Sequence, residues 1–218
     1  MTLLDFARGP GFQIALVILL VGIVWRILGA VAIRFSKDLT KPRGGKQSIR
    51  GGLKAILTYS APPHELEKNI KFQHYTGYAW HIGLFVVIFL FGPHVFFFEN
   101  ILGFGWPHLP NAVIMVIGIV TMGILVTLLI RRMIHPVLKV LNNADDYISW
   151  TVTFLPLLTG TLAFYHLGAR YETLLALHIL SVELLMIYIP FSKLMHMFMV
   201  WPSRYRTGTD FSRRGVEA

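Results

Sequence analysis

Long, nearly uninterrupted runs of apolar residues dominate the chain. Five of them, at residues 12–33, 78–98, 112–130, 148–165 and 174–200, are close to or above the length of about 20 residues that a helix needs to cross a bilayer. The segments between them are polar, and only the one at 36–73 is long. The pattern predicts an all-α integral membrane protein, with residues 1–218 forming one membrane domain built as a bundle of five transmembrane helices.

Basic residues alternate between the two sides of these predicted spans. The loop 36–73, the connection after the third span and the tail 201–218 carry most of them: Lys37, Lys41, Arg43, Lys46, Arg50, Lys54, Lys68, Lys71, Arg131, Arg132, Lys139, Arg204, Arg206, Arg213 and Arg214. The opposite side has Arg8 and Arg170. Because basic loops stay in the cytoplasm, we expect a multi-pass protein of the inner (cytoplasmic) membrane with its N-terminus outside and its C-terminus, loop 36–73 and tail 201–218 inside.

The composition agrees with a membrane location. Hydrophobic residues make up 55% of the chain and charged residues 14%, whereas a soluble domain has about 25% charged residues. The net charge of +9 follows from the topology, so we expect membrane lipid, and no nucleic acid, as the partner of these basic residues. The chain has no cysteine, which excludes an iron–sulfur cluster or a thiolate zinc site within it.

Histidines inside the predicted spans are candidate ligands, since an ionisable residue in a bilayer is costly. His178 and His196 lie 18 residues apart in the fifth span, which in a continuous helix is five turns, or about 27 Å, on one face. One imidazole would then lie near each membrane surface. Pro190 lies between them and makes this phase approximate.

The second predicted span, antiparallel to the fifth, offers partners for both. His81 would face His196 near the cytoplasm, and His94 would face His178 near the outside. The 13 residues between His81 and His94 correspond to about 220° of helix rotation, so an ideal helix would not place them on one face. Local unwinding at Gly92-Pro93 would re-aim His94, and His74 is the alternative ligand. The ring nitrogens of such pairs bind haem iron.

The remaining histidines are less informative. His64, His108 and His135 lie in predicted loops and are expected to be solvated. His166 lies at the outer end of the fourth span, and its position alone assigns it no role.

Several segments resemble the di-haem cytochrome b family of the respiratory nitrate reductase gamma subunit, which includes sulfite-reductase-linked and heterodisulfide-reductase-like membrane subunits. The resemblance runs from Tyr78 to the end of the chain. The segments that carry it are Leu177-His178, Pro190-Phe191-Ser192-Lys193-Leu194-Met195-His196, His81-Ile82-Gly83, Arg131-Arg132 through Pro136, and Asn143-Ala144-Asp145-Asp146-Tyr147-Ile148.

The resemblance implies two b haems, with His81 and His196 as axial ligands of the cytoplasmic one and His94 and His178 of the outer one. It also implies a quinone or quinol as substrate and a cytoplasmic or peripheral redox subunit, expected to be an iron–sulfur protein. The chain would then be the quinone-reactive electron-transfer subunit of a respiratory oxidoreductase, with no further catalytic residue of its own. One departure affects His94, because the position at which the family carries that ligand is Phe91 here.

The resemblance also places the quinone near the outer haem. The ionisable residues within reach of such a pocket are Glu99, His166, Arg170 and Glu172. Lys193, three residues before His196, has two interpretations: it contacts a haem propionate, or it extends to the cytoplasmic interface.

Three further questions stay open at the level of sequence. Glu183, inside the fifth span, is protonated, hydrogen-bonded to another helix, or part of a proton route. The loop 36–73 docks a redox partner or lies against anionic lipid. The alternative class for the whole protein is a small proton-coupled transporter or channel that uses intramembrane histidines and Glu183, although the chain has no internal repeat to favour it.

Overall fold

The computed structural model describes residues 1–33, 42–43, 49–61 and 67–216, and regular structure within these ranges is helical apart from an isolated bridge between Phe91 and Leu109. The helices are α1 (Leu3–Ala32, with a π-helical turn at Ala7–Gly11), α2 (Ile49–Thr58), α3 (Glu67–Leu90), α4 (Gly92–Leu102), α5 (Asn111–Ile134), α6 (Pro136–Leu141), α7 (Ala144–Tyr165), α8 (Tyr171–Tyr188) and α9 (His196–Arg214).

Four segments of the described chain are long and apolar enough to cross a membrane: Leu3–Ala32, Asn111–Ile134, Ala144–Tyr165 and Tyr171–Phe191. Their apolar side chains are widely exposed, as Val17, Val21 and Leu28 on α1 show with 59%, 62% and 61% of their surface accessible. Apolar surface of this extent is stable when lipid covers it. The protein is therefore an all-α, multi-pass membrane protein. The four segments match the first, third, fourth and fifth predicted spans.

The second predicted span, 78–98, is not one continuous helix. Phe91 has an extended backbone (φ −82°, ψ 127°), so α3 ends at Leu90 and α4 begins at Gly92 with Pro93 in its first turn. In a continuous helix Pro93 would lack the N–H that bonds to the Phe89 carbonyl and its ring would clash with that carbonyl, whereas proline is tolerated in the first turn of a helix, which accounts for the break. The expected local unwinding at Gly92-Pro93 is present, and it separates His81 on α3 from His94 on α4.

The fifth predicted span, 174–200, is also interrupted. After α8 the chain forms two 3₁₀ turns, Ile189–Phe191 and Lys193–Met195, separated by Ser192 in an extended conformation (φ −126°, ψ 178°). Pro190 cannot donate the helical hydrogen bond, and the Ser192 hydroxyl accepts one from the Leu194 N–H at 3.2 Å. The continuous five-turn helix expected between His178 and His196 is therefore wrong, and the argument that they share one face does not hold.

By their internal contacts the residues divide into two compact units, one made of 1–16 and 72–187 and the other of 17–71 and 188–218. The first unit holds α4 to α8 with the start of α1 and most of α3. Gly83 on α3 lets Thr121 of α5 approach so closely that a Cβ atom would overlap its hydroxyl. At the α5–α7 connection, Arg132 pairs with Asp146 at 2.7 Å, and Asn143 caps α7.

The second unit is organised around α2 and α9. Gly52 packs so tightly against Tyr205 that an added Cβ would lie 2.5 Å from the ring, and Arg204 donates to the Ser60 hydroxyl at 2.9 Å. The loop 36–73 therefore contains an ordered helix with a partner of its own. Its basic residues Lys37, Lys41 and Lys46, with His64, lie outside the described residues.

Candidate bis-histidine site

The corner between α3 and α4 determines where His94 lies. A helix leaves the last four carbonyl groups without helical partners, so the interruption at Phe91 creates acceptors in the middle of an apolar segment. The His94 ring takes one of them: its Nδ1–H donates to the Val87 carbonyl at 2.9 Å. The hydrogen bond fixes the ring against the end of α3 and, in the neutral imidazole, leaves Nε2 as the nitrogen with a lone pair.

Two further acceptors at this corner are satisfied by the loop after α4. The Trp106 indole N–H donates to the Phe89 carbonyl at 2.5 Å, and the Leu109 backbone N–H donates to the Leu90 carbonyl at 2.9 Å. The Trp106 ring also stacks on that of Phe98, with centroids 5.7 Å apart and planes 29° from parallel. The 103–110 loop thus holds the corner in place, and with it the position of His94.

His178 is held from the neighbouring helix α7. Its Nδ1 lies 3.3 Å from the Thr159 hydroxyl oxygen. That hydroxyl donates its own proton to the Leu155 carbonyl at 2.7 Å, so its oxygen accepts from the imidazole N–H. As at His94, the proton is placed on Nδ1 and the Nε2 lone pair is left for another ligand, an arrangement common among metal-binding histidines.

Gly160 makes room for the His178 ring. A Cβ atom at position 160 would lie 3.0 Å from the Cε1 atom of that ring and 3.2 Å from Nδ1, closer than carbon atoms normally approach. The absence of a side chain at Gly160 therefore allows α7 to lie directly against the imidazole. Gly123, in the neighbouring span α5, has nothing within 4 Å of such an atom and serves no comparable purpose.

The two imidazoles lie close together in nearly parallel planes within the first unit. Their centroids lie 6.1 Å apart and their planes are 12° from parallel. A metal ion binds an imidazole nitrogen at about 2.0–2.1 Å, and that nitrogen lies about 1 Å from the ring centroid, so two imidazoles on opposite sides of one metal have centroids about 6 Å apart. The centroid separation of His94 and His178 is therefore close to that of two imidazoles that share one metal ion, such as the haem iron that the sequence resemblance implies here.

The other two predicted ligands lie in different units, His81 in the first and His196 in the second. Each ring has its Nδ1 hydrogen-bonded to a backbone carbonyl, that of Gly77 for His81 at 2.6 Å and that of Lys193 for His196 at 2.9 Å. His81 is half-buried beside the Trp80 ring, while His196 is exposed at the start of α9. Both therefore carry the Nδ1 pattern seen at His94 and His178.

The remaining predicted site residues are at the surface of their units. Lys193, Glu99, His166, Arg170 and Glu172 are all exposed. The His166 ring lies 5.0 Å from that of Tyr171, and Glu99 lies against Gly105, where an added Cβ would be 3.1 Å from its carboxyl carbon.

None of the quinone candidates lines either of the two hollows seen on the second unit. Two surface hollows of about 410 and 380 Å³ in the second unit are lined by other residues: Leu20, Val21, Val24, Trp25, Leu28, Arg26, Gly29, Ala30, Ile33 and Met199.

Sequence reasoning missed the residues that hold the ligand rings. Val87 contributes only its carbonyl, which no sequence signal identifies, and Thr159 is one of many threonines in apolar helices. Trp106 lies in the loop after α4, and its indole N–H caps the broken end of α3. His135, expected to be solvated, instead has a buried Nδ1 without a hydrogen-bond partner. His74 lies against Tyr78, with ring centroids 4.8 Å apart.

Across the part of the chain that the structure describes, no cluster of three or more His, Asp or Glu side chains could hold a metal ion. No protein-family model matches the chain. A protein of Nitratidesulfovibrio vulgaris, described only as "Protein", is 28% identical over 218 residues, covering 96% of this chain and 94% of that protein. No solved structure matches.

Proposed function

We propose that the protein is a membrane cytochrome b subunit of a respiratory oxidoreductase, which passes electrons between the quinone pool and a partner redox subunit. The observation that carries this proposal is the close approach of the nearly parallel imidazoles of His94 and His178, with centroids 6.1 Å apart inside an apolar helical bundle. A second observation supports it. The Nδ1 atom of each predicted ligand is hydrogen-bonded to a carbonyl or hydroxyl oxygen, at His81, His94, His178 and His196.

In this proposal His94 and His178 hold one haem b, and His81 and His196 hold a second. The haem supplies reversible one-electron chemistry at its iron. The protein contributes fixed ring orientations: the Val87 carbonyl and the Thr159 hydroxyl each hold one imidazole, and Gly160 gives the His178 ring the space it needs. Hydrogen bonds of this kind raise the basicity of the ligating nitrogen and orient the ring.

The five-span topology, with the N-terminus outside and the C-terminus in the cytoplasm of the inner membrane, belongs to the same proposal. The second span would then be formed by α3 and α4 together, across the break at Phe91. Fusion of a reporter enzyme to the C-terminus and to the loop at 103–110 tests the orientation. Activity of a cytoplasmic reporter at the loop and not at the C-terminus would contradict it.

The decisive experiment for the haem is spectroscopic. The protein is produced in a host with ample haem, purified in detergent, and its reduced-minus-oxidised spectrum is compared with its pyridine haemochromogen content. We expect a b-type signal and two haems per chain. A preparation that is folded and free of haem would refute the proposal, and one haem per chain would restrict it to the His94–His178 pair.

A proton-coupled transporter or channel is the second candidate, and one observation favours it. Glu183 is 5% exposed, and its Oε1 atom has no hydrogen-bond partner. A buried carboxyl of this kind is typical of proton relays in membrane transporters. Reconstituted vesicles loaded with a pH-sensitive dye distinguish the two classes, because the transporter would move protons without any haem present.

For the redox partner, the α2–α9 pair is the proposed docking region. Ile49, Leu53 and Leu57 form a stripe along α2 that is 69%, 55% and 75% exposed, next to the basic residues Arg50 and Lys54. A cytoplasmic or peripheral iron–sulfur subunit with an acidic rim would complement it. Anionic lipid is the competing occupant, and binding of the purified protein to vesicles with and without anionic lipid separates the two.

A further inference from the structure

A small-residue face of α1 lies in the first unit next to the middle of α8. Ala7, Gly11 and Ala15 are buried, with Ala7 and Ala15 completely inaccessible. The chain forms a π-helical turn at Ala7–Gly11, where Pro10 lacks the N–H that a regular helix requires. These small residues and the irregular turn leave space beside α1 that a larger side chain of α8 can occupy.

The side chain that occupies this space is Glu183. A Cβ atom at Gly11 would lie 2.8 Å from Oε2 and 3.0 Å from Oε1 of the carboxyl group, so the carboxyl lies directly against the α1 backbone. Glu183 is 5% exposed, and Oε1 is buried without a hydrogen-bond partner. A polar atom in this condition is rare in folded proteins and calls for an explanation.

No cation among the described residues compensates the carboxyl. Glu183 takes part in none of the salt bridges within these residues, which include Arg132–Asp146 and Arg206–Asp210.

The charged or titratable groups on the two helices that meet at Glu183 are few. On the same part of α1 they are the Met1 amino group, Asp5 and Arg8, all exposed. On α8 they are Tyr171 and Glu172, both exposed, Tyr188, half-buried, and His178, about 140° around the helix. An ionised carboxylate would therefore be buried without a charged partner, which is strongly unfavourable, whereas a carboxylic acid loses far less on burial.

We propose that Glu183 is an internal proton-binding site, a carboxyl group kept in its protonated form within the membrane and reactive toward an apolar carbodiimide. The reaction follows from the protonated state. The carboxyl oxygen bonds to the central carbon of the carbodiimide while its proton moves to one nitrogen. The bond between the acyl carbon and that oxygen then breaks as the acyl group migrates to the other nitrogen, which gives an N-acylurea. Nothing leaves, so the whole mass of the reagent stays on the residue. The proposal does not depend on haem.

The test is labelling of the full-length protein in lipid nanodiscs with dicyclohexylcarbodiimide at pH 7.5, followed by peptide mass spectrometry. We expect stoichiometric labelling at Glu183 and none at the exposed acids Glu99 and Glu172 of the same unit. The Glu183→Gln variant should lose the label, and in infrared spectra it should lose one carbonyl band of a protonated carboxylic acid. Absence of both the label and that band in the wild-type protein would overturn the proposal.

A matched pair of variants tests the space at α1. In Gly11→Ala the new methyl group must displace the carboxyl, so we expect a shifted acid carbonyl band and labelling several-fold slower than in the wild type. Gly9→Ala adds the same methyl group to the same turn at a position with nothing within 4 Å, and should leave both unchanged. Equal effects of the two substitutions would show that the contact with Gly11 does not define the site. Haem content measured in parallel keeps this outcome distinct from the cytochrome proposal.

Discussion

His94 and His178 approach each other from two different helices, with imidazole centroids 6.1 Å apart and planes 12° from parallel. They are 84 residues apart in the chain. Neither helix alone determines this distance. The α3–α4 corner fixes the position of the His94 ring through the Val87 carbonyl, and α7 fixes that of the His178 ring through Thr159 and Gly160.

Replacing either member of this pair should remove one haem of the two. His94→Ala and His178→Ala are expected to give the same spectrum and the same loss, since both rings serve one iron, and the double variant should lose nothing more. Haem content and the reduced-minus-oxidised spectrum measure this. His74→Ala, which removes a histidine at the start of the same helix as His81, is the control. Loss of haem in that variant but not in His94→Ala would transfer the ligand role to His74.

The other haem should depend on His81 and His196. His81→Ala and His196→Ala are expected to resemble each other and to differ from the first pair, so combining His81→Ala with His178→Ala should abolish haem binding altogether. Spectra recorded during a redox titration would resolve which of two midpoint potentials is lost in each variant. Full haem content in His196→Ala, with a stable protein, would contradict the assignment of the second site.

Gly160→Ala should disturb the His178 site without touching a ligand. The added methyl group would meet the imidazole at about 3 Å, and overpacking of this kind typically costs about 1–3 kcal/mol. We therefore expect a lower midpoint potential or reduced occupancy for that haem alone. Gly123→Ala, in an adjacent span with open space at its Cβ, is the matched control. Indistinguishable redox titrations of the two variants would argue against a tightly held His178 ring.

Trp106→Phe should loosen the corner at Phe91. The substitution keeps an aromatic ring next to Phe98 but removes the hydrogen bond to the Phe89 carbonyl, a loss of about 0.5–1.5 kcal/mol. Thermal unfolding in detergent should shift to lower temperature, and amide hydrogen exchange should rise around residues 88–95. Trp201→Phe, which alters an exposed indole on α9, provides the comparison. Equal stability of both variants would mean that Trp106 does not support the corner.

Quinol oxidation should depend on the outer-side residues if the proposed quinone position is correct. Glu99→Gln and Arg170→Ala are expected to slow quinol-driven haem reduction several-fold at unchanged haem content, since both side chains lie where a quinol proton is released in the proposed topology. Stopped-flow spectroscopy gives the rate, with Asp210→Asn on α9 as control. Normal rates in both variants, together with an inhibitor bound beside the cytoplasmic haem, would place the quinone on the other side.

The hydrophobic pattern was sufficient to predict an all-α, multi-pass membrane protein. The reason is physical: a bilayer accepts only segments that satisfy their own backbone hydrogen bonds, so about 20 consecutive apolar residues define a helix almost regardless of context. The spans at 12–33, 112–130, 148–165 and 174–200 have counterparts in the structure. The histidines inside the apolar segments were equally visible, because each carries a solvation cost that needs a reason.

What the sequence could not determine is the path of the backbone at its interruptions and the contacts that follow from it. The prediction that His178 and His196 share one helix face assumed regular helical geometry through Pro190, yet the Ser192 backbone is extended there. The approach of His94 to His178 required the opposite: a break at Phe91, which the tertiary structure stabilises with donors from the 103–110 loop. Helical periodicity is a local property. The N–H groups that stabilise the break belong to that loop, and the glycine that makes room for the His178 ring belongs to α7, so only tertiary packing decides where the two imidazoles lie.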